Sequence, residues 1–361
     1  MGSIRAAIAL AFVTASLMQL LASRAQDGQS PTFRTSTTLI EVSAIVTHKG
    51  ITVADLSRDD VEVLDNGTPQ PLVAFEFVNL EAVRGPQQRR DFVLILDDLQ
   101  IGGSRTKASI DLATSLINAL GEHDRLAILN TSPFELVQQL SVDRRSALSL
   151  VRRMRGLKGA GSVSFTQNET SRVLLEVISK VSRVFVAHGQ AAERRTVLVI
   201  SEGGSLGPVS PEGRPPPEEQ ALLDDYRRTM GDASLANVAV YCVDPRGLEA
   251  PMPEVKGSND FDVAMASSVL GRTAGDAMVL KRFGLLRQVA DATGGTLVDE
   301  RNELSAGLAG MIRDSRQYYR LAYAMPGSSL ETVSKPRTIE VRVKRPDTVV
   351  RHRRTYSVSS R

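Results

Sequence analysis

Two adjacent carboxylates, Asp97 and Asp98, close the apolar run Phe92 to Leu96 in the stretch "RRDFVLILDDLQIGGSRT". Acids delivered at the C-terminal end of a strand suit two kinds of chemistry. As hard oxygen donors they hold a divalent cation; as nucleophiles or proton acceptors they serve hydrolysis or phosphoryl transfer. The residues that follow are Leu99, Gln100 and Ile101, where hydroxyl partners are expected of a cation site. A structural reading stands beside these. In it the acids bond backbone N–H groups of a following turn, for which "Gly102-Gly103-Ser104" has the chemistry. Asp97 then pairs with Arg105 or Lys107 on the surface, or Ser104 or Thr106 folds back to supply a hydroxyl.

Enzyme motifs are wanting. An Asp-based phosphotransferase places a second Asp two positions after the nucleophile, and that position is Leu99. There is no Gly-x-x-x-x-Gly-Lys-[Ser/Thr] phosphate loop, no Gly-x-Ser-x-Gly elbow and no His-Glu-x-x-His helix. The glycines of "GLKGAG" (156 to 161) follow a helix rather than a strand, so they read as a loop. The one cysteine, Cys242, excludes an intramolecular disulfide framework and lies in the apolar run "NVAVYCVD", as a buried thiol would. His48, His123, His188 and His352 show no local pairing with a nucleophile. The expectation is a protein that is not an enzyme, with a metal-dependent hydrolase as the residual alternative.

The elements that must position the acids fall into three zones. Residues 33–80 read as β: Ile40, Val42, Ala44 and Val46 alternate with Glu41 and Ser43, Ile45 excepted, and "His48-Lys49-Gly50" turns the chain. Asn66-Gly67 between two extended runs signals a hairpin, and Pro69 and Pro71 put its second strand at a sheet edge. Residues 90–325 alternate strands (92 to 96, 125 to 129, 196 to 200, 238 to 243, 295 to 299, 318 to 324) with amphipathic helices. Ile110, Ala113, Ile117 and Leu120 share one helical face, as do Val173, Val177, Val181 and Val184. This alternation predicts an α/β, Rossmann-like, doubly wound and mostly parallel sheet, with ligands bound beyond the C-terminal strand ends. The loops 203–220 and 245–262, rich in Gly and Pro, follow strands on that edge and serve as a lid, a partner surface, or plain insertions. Residues 336–361 are β again, with Ile339, Val341 and Val343 alternating with Glu340, Arg342 and Lys344. One hairpin buries too little to stand alone, so this segment is expected to join the N-terminal strands in a small β-sandwich around the inserted α/β domain.

Composition narrows the partners. Forty-two per cent of the 361 residues are hydrophobic and 24% charged, as in a folded protein, while aromatics are 4% and Trp is absent. Residues 1–25 read as a signal peptide. Arg5 precedes the apolar run Ala6 to Ala22, and "Ser23-Arg24-Ala25" offers small residues at a cleavage site. The run is short of the about 20 residues of a spanning helix, so an uncleaved anchor is the alternative and the only membrane contact foreseen. Cleavage removes Arg5 and Arg24 and no acid, and the formal charge falls from +3 to +1. A nearly neutral chain gives no reason to expect nucleic acid. The clusters Arg152, Arg153, Arg155, Lys158 and Arg351, Arg353, Arg354 read as solvated faces.

The carboxylate strand, the helix "ASIDLATSLINALGEHDRLAIL", "RRTVLVISEGG" and "LLRQVADATGGTLVDERNELSAGLAGMIRDSRQYYRLAY" together resemble the von Willebrand factor type A (VWA) domain. More narrowly, with "VADLSRDDVEVLDNGTPQPLVAFE" ahead of them, they are similar to a VWA-related family of exported bacterial proteins with β-rich flanks. The resemblance implies a periplasmic or secreted protein that binds a protein partner through the top face of the α/β domain. It also implies a metal-ion-dependent adhesion site: Asp-x-Ser-x-Ser after the first strand, a Thr from a second loop and an Asp after the fourth strand. Matched by position, Asp97 is the first Asp, Leu99 and Ile101 replace both serines, Thr170 is the second-loop Thr, and Glu202 replaces the later Asp. With Asp98 standing in for a lost hydroxyl, the candidate metal set is Asp97, Asp98, Thr170 and Glu202, holding Mg²⁺ or another divalent cation in a degenerate site. The alternative is a metal-independent scaffold within an envelope assembly.

Overall fold

In a computed structural model the described residues are 39–83, 85, 89–132, 138–159, 165–187, 194–204, 217–248, 274–298, 304–325 and 337–356, without the side chains of 274–283. The signal segment, His188 and most of the loops 203–220 and 245–262 lie outside them. Among the described residues no helix is long and apolar enough to cross a membrane.

The fold is α/β. The strands β6 (Asp91–Leu96), β7 (Arg125–Asn130), β8 (Gln138–Ser141), β9 (Arg195–Ile200), β10 (Val238–Val243) and β11 (Leu297–Val298) form one sheet in the order β11-β10-β9-β6-β7-β8. All its pairings are parallel except β7 with β8. β6 sits between β7 and β9 and is apolar on both sides because both sides are covered. Phe92, Leu94 and Leu96 pack with α1 (Thr106–Ala119), α2 (Arg144–Val151) and α6 (Leu304–Asp314). Val93 and Ile95 pack with α3 (Gln167–Ala187), α4 (Pro217–Leu235) and α5 (Ala274–Thr293). Burying each such side chain contributes about 1.5–3 kcal/mol, so this strand anchors the sheet.

Two helical faces differ from the sequence reading. On α1 the buried stripe is Leu112, Ala113, Leu116 and Ile117, with Ile110 and Leu120 at its margin. On α3 the core takes Leu174, Leu175, Ile178, Val181 and Phe185, while Val184 is 56% exposed. The valine stripe and the leucine–isoleucine–phenylalanine stripe lie one residue apart, and the larger side chains win the interior because they remove more apolar area from water.

Two antiparallel sheets hold the rest. One runs β14 (Thr348–Arg351), β1 (Leu39–His48), β12 (Gln317–Ala324), β5 (Leu72–Asn79), with β2 (Ile51–Thr52) on β1. The other runs β15 (Thr355–Tyr356), β13 (Arg337–Val343), β3 (Val61–Asp65), β4 (Thr68–Gln70). They share one apolar cluster that includes Val42, Val63, Tyr319, Leu321, Tyr323, Ile339 and Val341. Asn66 and Gly67, both at positive φ (49° and 78°), turn β3 into β4. The run Tyr318–Ala324, grouped in the sequence with the parallel strands, belongs here instead and pairs antiparallel with β1 and β5. An apolar run buried on both faces reads alike in either sheet; its partners decide. Ile45, the exception to alternation in β1, is fully buried, and on that same outward side Ser43 meets Asn237 just before β10.

The C-terminal basic cluster is not a solvated face. Arg353 donates to the Ser234 carbonyl and hydroxyl at the end of α4 and to the Glu41 carbonyl of β1 (2.5 Å). Burial pulls its guanidinium down to about 10. Arg351 pairs with the buried Asp314 at 2.6 Å, and Asp314 also accepts the Tyr241 hydroxyl at 2.9 Å. Only Arg354 of the three is largely exposed, at 67%. These side chains join the antiparallel sheets to the α/β layer.

Candidate site at the sheet rim

The ends of β6, β7 and β9 stand side by side, because they pair in parallel and stop together. The Asp97 N–H donates to the Ile200 carbonyl at 3.0 Å, and the Thr131 N–H to the Leu96 carbonyl at 3.3 Å. Beyond Leu96 the chain coils tightly: the Gln100 and Ile101 N–H groups both donate to the Asp97 carbonyl, at 3.0 and 3.1 Å. That turn carries Ile101 back into the core, fully buried among Leu96, Leu116 and Met154, with Leu99 9% exposed. Both positions where the resemblance asks for serine ligands are therefore packing positions.

Asp97 is fully buried and its oxygens are held by protein donors. Oδ2 accepts the Ser201 hydroxyl at 2.6 Å and the Gln100 amide at 2.8 Å, and Oδ1 accepts the Thr131 hydroxyl at 2.8 Å. Burial pushes its carboxyl up to about 6, helped by the neighbouring Asp98, while those three hydrogen bonds pull the other way. Asp98 turns toward β7. Its Oδ2 accepts the Asn130 amide at 3.0 Å, and its Oδ1 accepts the Thr131 and Ser132 N–H groups at 3.1 and 2.9 Å and the Thr131 hydroxyl at 3.1 Å. The pair thus does bond backbone N–H groups, but those of the β7 loop rather than of its own turn. Asp97 meets neither Arg105 nor Lys107: it has no exposure, and Lys107 pairs with Asp111 at 2.6 Å. Thr106 is likewise engaged elsewhere, accepting the Gly156 N–H at 2.9 Å.

Glu202 follows β9 and lies against the same loop. Its Oε1 accepts the Gly102 N–H at 2.6 Å, and its Oε2 meets the Lys158 ammonium at 3.2 Å. Lys158 is brought there by a strand-like contact in which the Leu157 N–H donates to the Asp98 carbonyl and the Lys158 N–H to the Ile101 carbonyl, at 2.8 and 3.1 Å. Gly156 permits the approach, since a Cβ there would lie 2.4 Å from the Ile101 carbonyl oxygen. Next to Glu202, Arg246 donates to both oxygens of the buried Asp244 (2.8–3.1 Å) and to the Glu202 carbonyl.

The donor chemistry does not fit a hard cation. Such an ion needs several lone pairs converging on one point. Here the Gln100 side-chain N–H₂ group and the Lys158 ammonium, which offer hydrogens and no lone pair, occupy oxygens of Asp97 and Glu202. Thr170 does not join them: its hydroxyl donates within its own helix, to the Gln167 and Thr166 carbonyls at 3.0 and 3.3 Å. Among the described residues no three His, Cys, Asp or Glu side chains form a group able to hold a metal. Of the candidate metal set Asp97, Asp98, Thr170 and Glu202, the structure brings three together and leaves one apart. Asp97, Asp98 and Glu202 share the rim, Thr170 is absorbed by α3, and internal donors hold the acids. The sequence reading passed over Thr131, Ser132 and Ser201. The signal was present in "ILNTSP", a second apolar strand ending in hydroxyl and amide side chains on the same rim. Cys242 is buried in β10, and burial pushes its thiol up, away from the thiolate that nucleophilic attack requires.

No family model matches the chain, and no curated protein matches it. Solved structures do. The conserved hypothetical protein BatB from Bacteroides thetaiotaomicron matches at 15% identity, over 63% of this chain and 98% of its own, with a TM-score of 0.35. A von Willebrand factor type A protein from Catenulispora acidiphila matches at 13% identity, over 81% and 74%, with a TM-score of 0.37. Proximal thread matrix protein 1 of the mussel byssus, solved with a zinc-occupied MIDAS motif, matches at 12% identity, over 63% and 48%, with a TM-score of 0.32. At such TM-scores the neighbours carry no argument about residue roles, which rest on the geometry above. The solved structures that match this chain are mostly VWA domains, the family that its sequence resembles.

Proposed function

We propose that this chain is an exported, non-catalytic binding module that grips another protein through the C-terminal rim of its α/β sheet, without a metal ion. In this reading a doubly wound α/β domain is inserted into a β-sandwich built from both ends of the chain, and the adhesion site is degenerate. One observation carries the proposal: the rim acids are already bonded to protein donors, and Asp97 has no exposure with which to reach a substrate or an ion. What remains available on the rim is the surface of its loops, and loops on a rigid scaffold are where partners bind. Export rests on the signal pattern of residues 1–25.

The test places a photo-crosslinking side chain at Ser104, exposed on the rim, or at Glu122, exposed at the opposite end of the sheet beside the start of β7. Crosslinking in the exporting cell should give a protein adduct from position 104 alone, with the same yield in chelator. An adduct lost in chelator restores the metal bridge and overturns the proposal. So does an adduct from position 122 alone, or none from either.

A further inference from the structure

The exposed arginines of α3 and α4 have a carboxylate at hand. On α3 and α4, Arg172 meets Asp225 at 2.7 Å, Arg183 meets Asp232 at 3.5 Å, Arg227 meets Asp224 at 2.8 Å and Arg228 meets Asp225 at 2.7 Å. The cations that follow α2 differ. Arg152, Arg153 and Arg155 are all exposed and make no ion pair among the described residues. They stand at the rim, because β8 runs antiparallel to β7 and α2 returns the chain to the strand ends, where residues 156–158 lie along the 98–102 loop. Lys158 follows them, about half exposed (49%), with Glu202 as its one ion-pair partner among the described residues. Among the described residues the acids on this side are already bonded: Asp97 and Asp98 to hydroxyls, amides and N–H groups, and Asp244 to Arg246.

From this surplus we infer that the α1–α2 half of the rim is a docking surface for an acidic segment of a partner protein, read by Arg152, Arg153, Arg155 and Lys158. The inference rests on the binding reading above and names the chemistry of the partner. Charge complementarity selects the occupant. The other half of the same rim, at the starts of α3 and α4, carries Glu169, Glu218 and Glu219. A rim divided in sign repels part of any flat anionic surface such as a membrane, and part of a long polyphosphate. A short acidic segment matches one half alone. Single-stranded nucleic acid also favours aromatic stacking platforms, and a chain with no Trp and 4% aromatics is poor in them. A partner carboxylate reaching Lys158 competes with Glu202 for its ammonium and adds to the contact.

The test is fluorescence anisotropy with the full chain in chelator, using labelled octaglutamate and octaglutamine peptides. Octaglutamate should bind and octaglutamine should not. Replacing Arg152, Arg153 and Arg155 together by Gln should weaken octaglutamate binding about tenfold, at a fraction of a kcal/mol for each exposed charge. Neutralising the paired Arg172, Arg183 and Arg228 should leave it unchanged. All six side chains are exposed, so the fold survives in both variants. Octaglutamate that fails to bind, or binds the first variant as well as the parent, overturns the inference. Tighter binding of an oligothymidylate, or of phosphatidylcholine–phosphatidylserine vesicles, overturns it in favour of those partners. If the adduct at position 104 persists while octaglutamate fails, only this inference falls; if that adduct vanishes in chelator, the binding reading falls first.

Discussion

The sharpest handle on the rim is Thr131→Val. The Thr131 hydroxyl is the one donor to Asp97 Oδ1 among the described residues, at 2.8 Å, and a weaker one to Asp98 Oδ1, at 3.1 Å. Asp98 keeps its Asn130 amide and two backbone N–H groups after the substitution, and Asp97 keeps Ser201 and Gln100, but both on Oδ2. Valine fills the same space, so the cost is a fully buried carboxylate oxygen left without a donor, together with the long contact, 3.4 Å, from the Leu99 N–H to the lost hydroxyl. A hydrogen bond to a charged group is worth about 1.5–3 kcal/mol, and a loss near 2 kcal/mol lowers Tm by about 3 °C in a chain of this size.

The pH dependence of that loss tests the cause. Asp97 titrates near 6 in the fold, above its ordinary 3.8, so its contribution to stability is fully present below about pH 4 and is lost as pH rises through 6. The Thr131 hydrogen bond favours the ionised form and opposes that shift, and removing it moves the folded value higher still. The gap between parent and variant is therefore widest near pH 8 and narrows near pH 4.5, where a protonated Asp97 no longer needs the donor. Urea midpoints at those two values of pH, with equal m, measure it. A gap of the same size at both, or none near pH 8, refutes the assignment of Asp97 as a buried carboxylate held by Thr131.

Other outcomes follow from the same contacts. Thermal melts of the parent with Mg²⁺ and with chelator should coincide within about 1 °C; a saturable rise with Mg²⁺ would show a ligated folded state. Ile101→Ser, which restores a serine of the adhesion motif, should cost about 3 kcal/mol by opening the core at a fully buried position. Combined with Leu99→Ser it should still show no Mg²⁺ heat in calorimetry, because the Gln100 amide and the Lys158 ammonium stay in place. Arg353→Met strips donors from the Ser234 and Glu41 carbonyls and should lower stability by about 2–4 kcal/mol in urea, whereas Arg354→Met, at an exposed position, should change it by less than about 0.5 kcal/mol.

What was legible in the sequence had a short-range cause. The run Phe92–Leu96 is apolar at every position because helices cover both sides of β6, and the acids that follow it lie on the rim because parallel strands end together. Asn66-Gly67 shows its turn in two letters. What was hidden depends on which of two equivalent surfaces is covered. On α3 two apolar stripes run one residue apart, and only side-chain size separates them. The run Tyr318–Ala324 is a buried strand in any sheet, and its antiparallel partners lie far away in sequence. Arg353 looks like surface charge until the carbonyls at the end of α4 and on β1, each more than a hundred residues away, are brought against it, and Arg351 until Asp314 is.

The rim obeys one electrostatic constraint that explains its departures together. Two adjacent carboxylates buried at strand ends are costly unless each oxygen finds a donor or a cation. An ion held by Asp-x-Ser-x-Ser would supply that compensation, but it needs the loop to present hydroxyls at positions 99 and 101. Here the turn after β6 commits Ile101 to the core with Met154 and Leu116. With those positions turned inward, compensation falls to whatever else the rim can bring: the Gln100 amide from the same turn, the Thr131 and Ser201 hydroxyls from the neighbouring strands, and the Lys158 ammonium for Glu202. The apolar residues and the added donors are thus halves of a single solution. Restoring the serines alone opens the core while the donors still cover the acids. Removing the donors alone leaves buried carboxylates exposed to each other.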